Sequence, residues 1–129
     1  MPYDVIVEIR DNYIRADVTG QRIPGKEVDD ALAVWSQLAG ISEETGLDHI
    51  LFVAKMTGTL STVAAYTISN SLEATGLNKS SRLAFVDLNE ESRKENVFGE
   101  TVVYNRGWTD ARIFDNEDEA VAWLLSEDE

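Results

Sequence analysis

The sequence predicts a single α/β domain with the element order ββαβαβαβα and a mixed five-stranded sheet. Three observations predict it. The first segment alternates apolar and polar residues around an Asp11-Asn12 turn, the pattern of an antiparallel hairpin. From Val28 onward the apolar period lengthens to that of a helix, and it is interrupted by short apolar runs such as Ile50–Ala54. Thr45-Gly46-Leu47 and Thr75-Gly76-Leu77 stand 30 residues apart, and each closes a helical segment ahead of an apolar strand. Strands alternating with helices imply parallel pairing with right-handed crossovers after the opening hairpin.

Taken in order, Tyr3, Val5, Val7 and Ile9 alternate with Asp4, Ile6, Glu8 and Arg10 as the first strand. Ile14, Ala16 and Val18 form the second, which Gly20 and Pro24-Gly25 end. Val28, Ala31, Leu32, Trp35, Leu38 and Ala39 make the apolar stripe of the first helix, which runs past Gly40 to Gly46. In each Thr-Gly-Leu step the glycine suits a left-handed cap and the leucine supplies its apolar contact. Ile50–Ala54 is too short for a buried helix and reads as a buried strand, followed by a small-residue loop over residues 55–60.

Ser61 or Thr62 then caps a second helix that buries Ala64, Ile68 and Leu72. Leu83–Val86 is the next strand. Asn89 caps the third helix, with Glu90 and Glu91 in its first turn where the helix dipole favours them and Gly107 ending it. Arg112-Ile113-Phe114 is the last strand. Asn116 with Glu119 resembles a capping box for a final helix buried through Ala120, Val121, Leu124 and Leu125. Residues 126–129 are expected to fray.

At 129 residues the chain is expected to form one domain spanning 1–129, large enough to bury roughly two-thirds of its unfolded surface. A net charge of −13 argues against nucleic acid and anionic membrane surfaces as partners, because phosphates are repelled. The absence of cysteine excludes thiolate chemistry, disulfides and cysteine zinc sites. No apolar run is long enough to span a membrane and no signal-peptide layout is present, so a cytoplasmic protein is expected.

The element order, together with Asn105-Arg106-Gly107-Trp108 leading to Ile113-Phe114-Asp115 and the ending Glu119–Leu124, carries a resemblance. It resembles the small STAS-like proteins related to bacterial anti-sigma-factor antagonists, which are also compared with the CRAL-TRIO lipid-transfer fold. The resemblance covers most of the chain and is most specific in its C-terminal third. It implies a five-stranded sheet wound as a one-way β–α superhelix, mostly without assigned activity. Regulatory members carry a phosphorylatable serine in an Asp-Ser-Ser-Gly-like turn at the start of the second helix. Here that region reads Gly58-Thr59-Leu60-Ser61-Thr62-Val63, with hydroxyls at Ser61 and Thr62 but without that pattern.

The candidate contact surface is therefore the strand–loop–helix junction over residues 55–66, at the carboxyl edge of a central strand where α/β folds meet ligands and partners. Its candidate residues are Lys55, Thr59, Ser61, Thr62 and Tyr66, with Ser61 and Thr62 as candidate phosphoacceptors as well as helix caps. Arg106 and Trp108 are secondary candidates for an anionic ligand or partner; the plainer expectation has Arg106 facing the helix end and stacking on an aromatic ring. His49 reads as a turn residue, because it and Asp48 would point apart on an extended chain. Asp87, Glu90 and Glu91 serve capping better than a metal, and no cofactor is expected. No G-x-S-x-G, G-x-G-x-x-G or P-loop occurs.

These features point to a non-enzymatic regulatory or protein-interaction module. The alternative is a carrier of a small apolar or lipid-like ligand, which an enclosed apolar pocket of several hundred Å³ would favour. Both central strands are apolar on both faces, so the second sheet face needs cover from the chain itself, a ligand or a homodimer partner.

Overall fold

A computed structural model describes residues 3–126. The elements are β1 (Asp4–Ile9), β2 (Ile14–Gln21), α1 (Glu27–Thr45), β3 (His49–Thr57), α2 (Thr62–Asn70), a 3₁₀ turn (Leu72–Thr75), β4 (Arg82–Asp87), α3 (Glu90–Asn105), β5 (Ala111–Phe114) and α4 (Glu117–Leu124). This is the expected ββαβαβαβα order. The strands pair in chain order, β1-β2-β3-β4-β5. The opening hairpin is antiparallel and every later pairing is parallel, with Ile50 opposite Leu83 across the two central strands.

Strand alternation sends each set of side chains to one face. Ile14, Ala16, Val18, Ile50, Phe52 and Ala54 join Trp35, Leu38 and Trp108 in the main core, beneath α1, α2 and α3. Trp35, Phe52 and Phe85 stack there, with centroids 4.8 and 4.6 Å apart in successive pairs. On the opposite face Leu51, Val53, Ala84 and Val86 pack against Ala120 and Leu124 of α4. The chain thus covers the second face over the central strands with its own last helix, which removes the main reason to invoke a partner copy there.

The two Thr-Gly-Leu steps form matching caps. Gly46 and Gly76 take the left-handed conformation. Each threonine hydroxyl donates back to a carbonyl, Thr45 to Ile41 at 2.8 Å and Thr75 to Leu72 at 2.6 Å. Each also accepts the N–H of the following leucine, at 3.2 and 3.3 Å.

Several boundaries differ from expectation. Residues 55–57 are strand, because Met56 continues the inward alternation of Phe52 and Ala54 while Lys55 and Thr57 turn outward. β2 likewise runs through Gly20 to Gln21. Leu72 is buried but belongs to the 3₁₀ turn after α2. Leu125 caps α4 and is 43% exposed, so it lies outside the buried stripe. Ser126 hydrogen-bonds to Trp123 and Arg82; residues 127–129, also expected to fray, lie outside the described residues. No described helix is long and apolar enough to cross a membrane.

Candidate functional site

The β3–α2 junction is held by backbone contacts from two directions. Gly58 has φ +92, and a Cβ there would stand 2.9 Å from the Arg22 carbonyl, so both its conformation and its packing require glycine. The Arg22 N–H donates to the Thr57 carbonyl at 2.9 Å, and its guanidinium donates to the Gly58 carbonyl at 3.3 Å. From the other side Asn89 Nδ2 donates to the Met56 and Gly58 carbonyls at 3.3 and 3.2 Å. Leu60 is buried against Ala64 and Ala65 and anchors the loop from within.

Ser61 then caps α2 in an extended conformation, its Oγ accepting from the Ala64 N–H at 3.0 Å. Thr62 Oγ1 donates to Glu95 Oε1 of α3 at 2.8 Å. Thr59, Ser61, Thr62 and Tyr66 are all exposed on the carboxyl-edge side of the sheet. Val63 in the same turn is 75% exposed.

Lys55 does not join them. Its side chain leaves β3 toward the α4 face and lies 3.3 Å from Asp17 Oδ1. Asp17 also accepts from Arg15 at 2.9 Å, and Arg15 reaches Glu117 of α4 at 2.8 Å. The Arg15 hydrogen bond holds the Asp17 carboxyl below its ordinary range, against partial burial that raises it and with Lys55 lowering it further. The same carboxylate raises the already high pKa of Arg15.

Arg106 and Tyr66, singled out separately in the sequence, meet across α2 and α3. Arg106 donates through a terminal nitrogen to the Tyr66 hydroxyl at 3.4 Å and through Nε to Asn70 Oδ1 at 2.6 Å. Trp108 is corrected from a contact candidate to a core residue, 1% exposed in the main apolar cluster. Among the described residues the arginines over aromatic rings are Arg82 and Arg112, not Arg106.

His49 also departs from expectation. It does bond its neighbour, with Nδ1 2.8 Å from Asp48 Oδ1, because Asp48 precedes the strand and is free of its alternation. His49 opens β3, and the junction follows its far end; eight strand steps place them about 25 Å apart. The imidazole is therefore out of reach of the Ser61 hydroxyl.

Two residues do more than expected: Asp87, expected only as a capping carboxylate, and Arg22. Asp87 is fully buried and accepts from Ser92 Oγ at 2.7 Å, Asn96 Nδ2 at 2.6 Å and the Asn89 N–H at 3.0 Å. An aspartate closing an apolar strand, with Ser and Asn five and nine residues on, was the available signal. Arg22 is 5% exposed, and nothing in its local sequence marks it for burial. Glu90 and Glu91 are exposed, and no group of three or more metal-ligating side chains gathers among the described residues.

No protein-family model and no curated protein matches this chain. Among solved structures it is similar to an uncharacterized protein from the DUF3478 family with a SpoIIAA-like fold, from Shewanella loihica PV-4, at 15% identity over 96% of this chain and 94% of that one. The TM-score is 0.48. The architecture of this chain rests on its own strand order and pairing.

Proposed function

We propose that this chain is a non-enzymatic regulatory or interaction module that binds a protein partner through the junction of residues 55–66. The observation carrying the reading is Val63, an apolar side chain 75% exposed in the first turn of α2, just after a loop whose Gly58 carbonyl is held by Arg22 and Asn89. A rigid turn presenting one apolar side chain amid hydroxyls offers a contact that orders little on binding. Tyr66, steadied by Arg106, extends it along α2. Phosphorylation at Ser61 or Thr62 would regulate the contact, since the added charge stands beside Glu95 and lacks Lys55, which is engaged with Asp17 on the other face.

The carrier alternative is less well supported. The most apolar cavity measures about 80 Å³, far short of the several hundred Å³ a lipid-like ligand needs.

The test is a pull-down from the native host with wild type, Val63→Glu, Tyr66→Ala, Ser61→Asp and Ser61→Ala. Val63→Glu is expected to lose the recovered partner while melting stays near wild type, since surface changes cost about 0.5 kcal/mol or less. Ser61→Asp is expected to change recovery with little change in melting. Unchanged recovery across the set would refute the junction as the contact surface.

A further inference from the structure

β1 is an edge strand, six residues long and paired on one side only. The Arg10 N–H donates to the Tyr13 carbonyl at 2.9 Å, which fixes the phase of the antiparallel ladder. Alternate pairs in such a ladder exchange their backbone hydrogen bonds, so Asp4, Ile6 and Glu8 bond to β2. The N–H and C=O groups of Val5, Val7 and Ile9 point away from the sheet, and among the described residues none has a hydrogen-bond partner. The opposite edge is treated differently. β5 is four residues long, and its Ile113 N–H is already taken by Glu100 Oε2 at 3.2 Å. Short edges and covered amides keep a sheet from adding strands, and β1 has neither. It also exposes Ile6 by 67% and Ile9 by 53%.

We infer that β1 pairs with β1 of a second copy, antiparallel about a twofold axis at Val7, joining the two five-stranded sheets edge to edge. The open backbone groups then serve each other, Val7 with Val7 and Val5 with Ile9, each pair exchanging two bonds. Those apolar side chains meet on one face. On the other, Asp4 stands opposite Arg10 of the second copy, and Glu8 opposite Ile6. Neighbouring registers match less well: centring on Ile6 opposes Asp4 with Glu8, and centring on Glu8 opposes that carboxylate with itself. Arg10, whose guanidinium already lies 2.6 Å from Glu8 Oε1, then stands between carboxylates of both copies. Ile9 is covered by Val5, and the two Ile6 side chains come within diagonal reach. This match of the strand to itself, in apolar and charged positions alike, names a second copy as the occupant.

The edge is separate from the junction of residues 55–66, so either reading can fail alone. The full chain is followed by sedimentation equilibrium from about 10 μM to 1 mM, the range of a small, weak interface. A monomer–dimer equilibrium is expected for wild type. Val7→Pro removes an outward N–H without breaking the β1–β2 ladder, and should weaken the dimer roughly tenfold or more. Asp4→Arg and Arg10→Asp each oppose like charges and should each weaken it several-fold. An equimolar mixture of these two variants should pair, since arginine then meets aspartate at both positions. A monomer at every concentration would overturn the inference and leave the edge to a foreign strand. Dimerisation unchanged by Val7→Pro, or a mixture no tighter than either charge variant alone, would put the contact on another surface and overturn it equally. Should Val7→Pro fail to fold, the two charge variants, both at exposed positions, decide alone.

Discussion

Ser92 donates its hydroxyl to Asp87 Oδ2 across 2.7 Å, and both side chains are fully buried. With Asn96 and the Asn89 N–H also donating, this carboxylate joins the end of β4 to the first turns of α3. Asp87→Ala strands three buried or half-buried donors and is expected to cost about 3–5 kcal/mol in urea denaturation. Asp87→Asn keeps one acceptor and should cost less. A loss under about 1 kcal/mol for the alanine variant would contradict this account.

Trp35 bridges α1 and the sheet by stacking on Phe52 at 4.8 Å. Trp35→Ala should therefore destabilise the fold by roughly 3–5 kcal/mol, through lost burial and the cavity left behind. Chemical denaturation with an unchanged m-value is the measurement.

At the α2 cap, Ser61→Ala removes the acceptor of the Ala64 N–H. A loss of about 1 kcal/mol is expected, whereas Ser61→Asp, also a good cap, should melt near wild type. Equal melting of all three proteins would show that the cap bond contributes nothing.

Gly99 and Ser69 set the distance between α3 and α2. A Cβ on Gly99 would lie 2.6 Å from Ser69 Oγ. Gly99→Ala alone should be destabilising, although alanine is the better helix former by about 1 kcal/mol. In the Ser69→Ala background the same change should become neutral or stabilising. A double-mutant cycle with no coupling would disprove the contact.

Acid should weaken the β2–α4 link. The Asp17 carboxyl lies below its ordinary value of 3.8 chiefly because Arg15 hydrogen-bonds to it. The unfolded chain therefore takes up this proton first. The stabilisation is complete above the ordinary value and is lost as pH falls through the lower folded one. Asp17→Asn should be less stable than wild type at neutral pH, with the gap closing as pH drops below about 4. A gap independent of pH would rule this out.

Much of the fold was legible because its signals are local. The hairpin alternation, the α1 stripe and the caps at Ser61, Asn89 and Asn116 each lie within a few residues of sequence. The end of β3 was not, because Thr57, Gly58 and Thr59 look like loop, while inward Met56 is paired only through a β2 that itself runs on through Gly20. The site was legible in position but not in partnership. Tyr66 and Arg106 are 40 residues apart and meet only through helix packing. Lys55 is near Ser61 in sequence yet faces away, since strand alternation decides its side. Arginine is normally a surface residue, so the burial of Arg22 had no sequence signal.

The neighbour-to-neighbour strand order also has a consequence for how the chain is made. Because each strand pairs with the one before it, a chain emerging amino-terminus first can extend its sheet strand by strand, without waiting for a distant segment. The exception is α4. Until residues 117–124 are synthesised, Leu51, Val53, Ala84 and Val86 present a bare apolar face, so the last helix completed is the one that shields the nascent sheet from self-association.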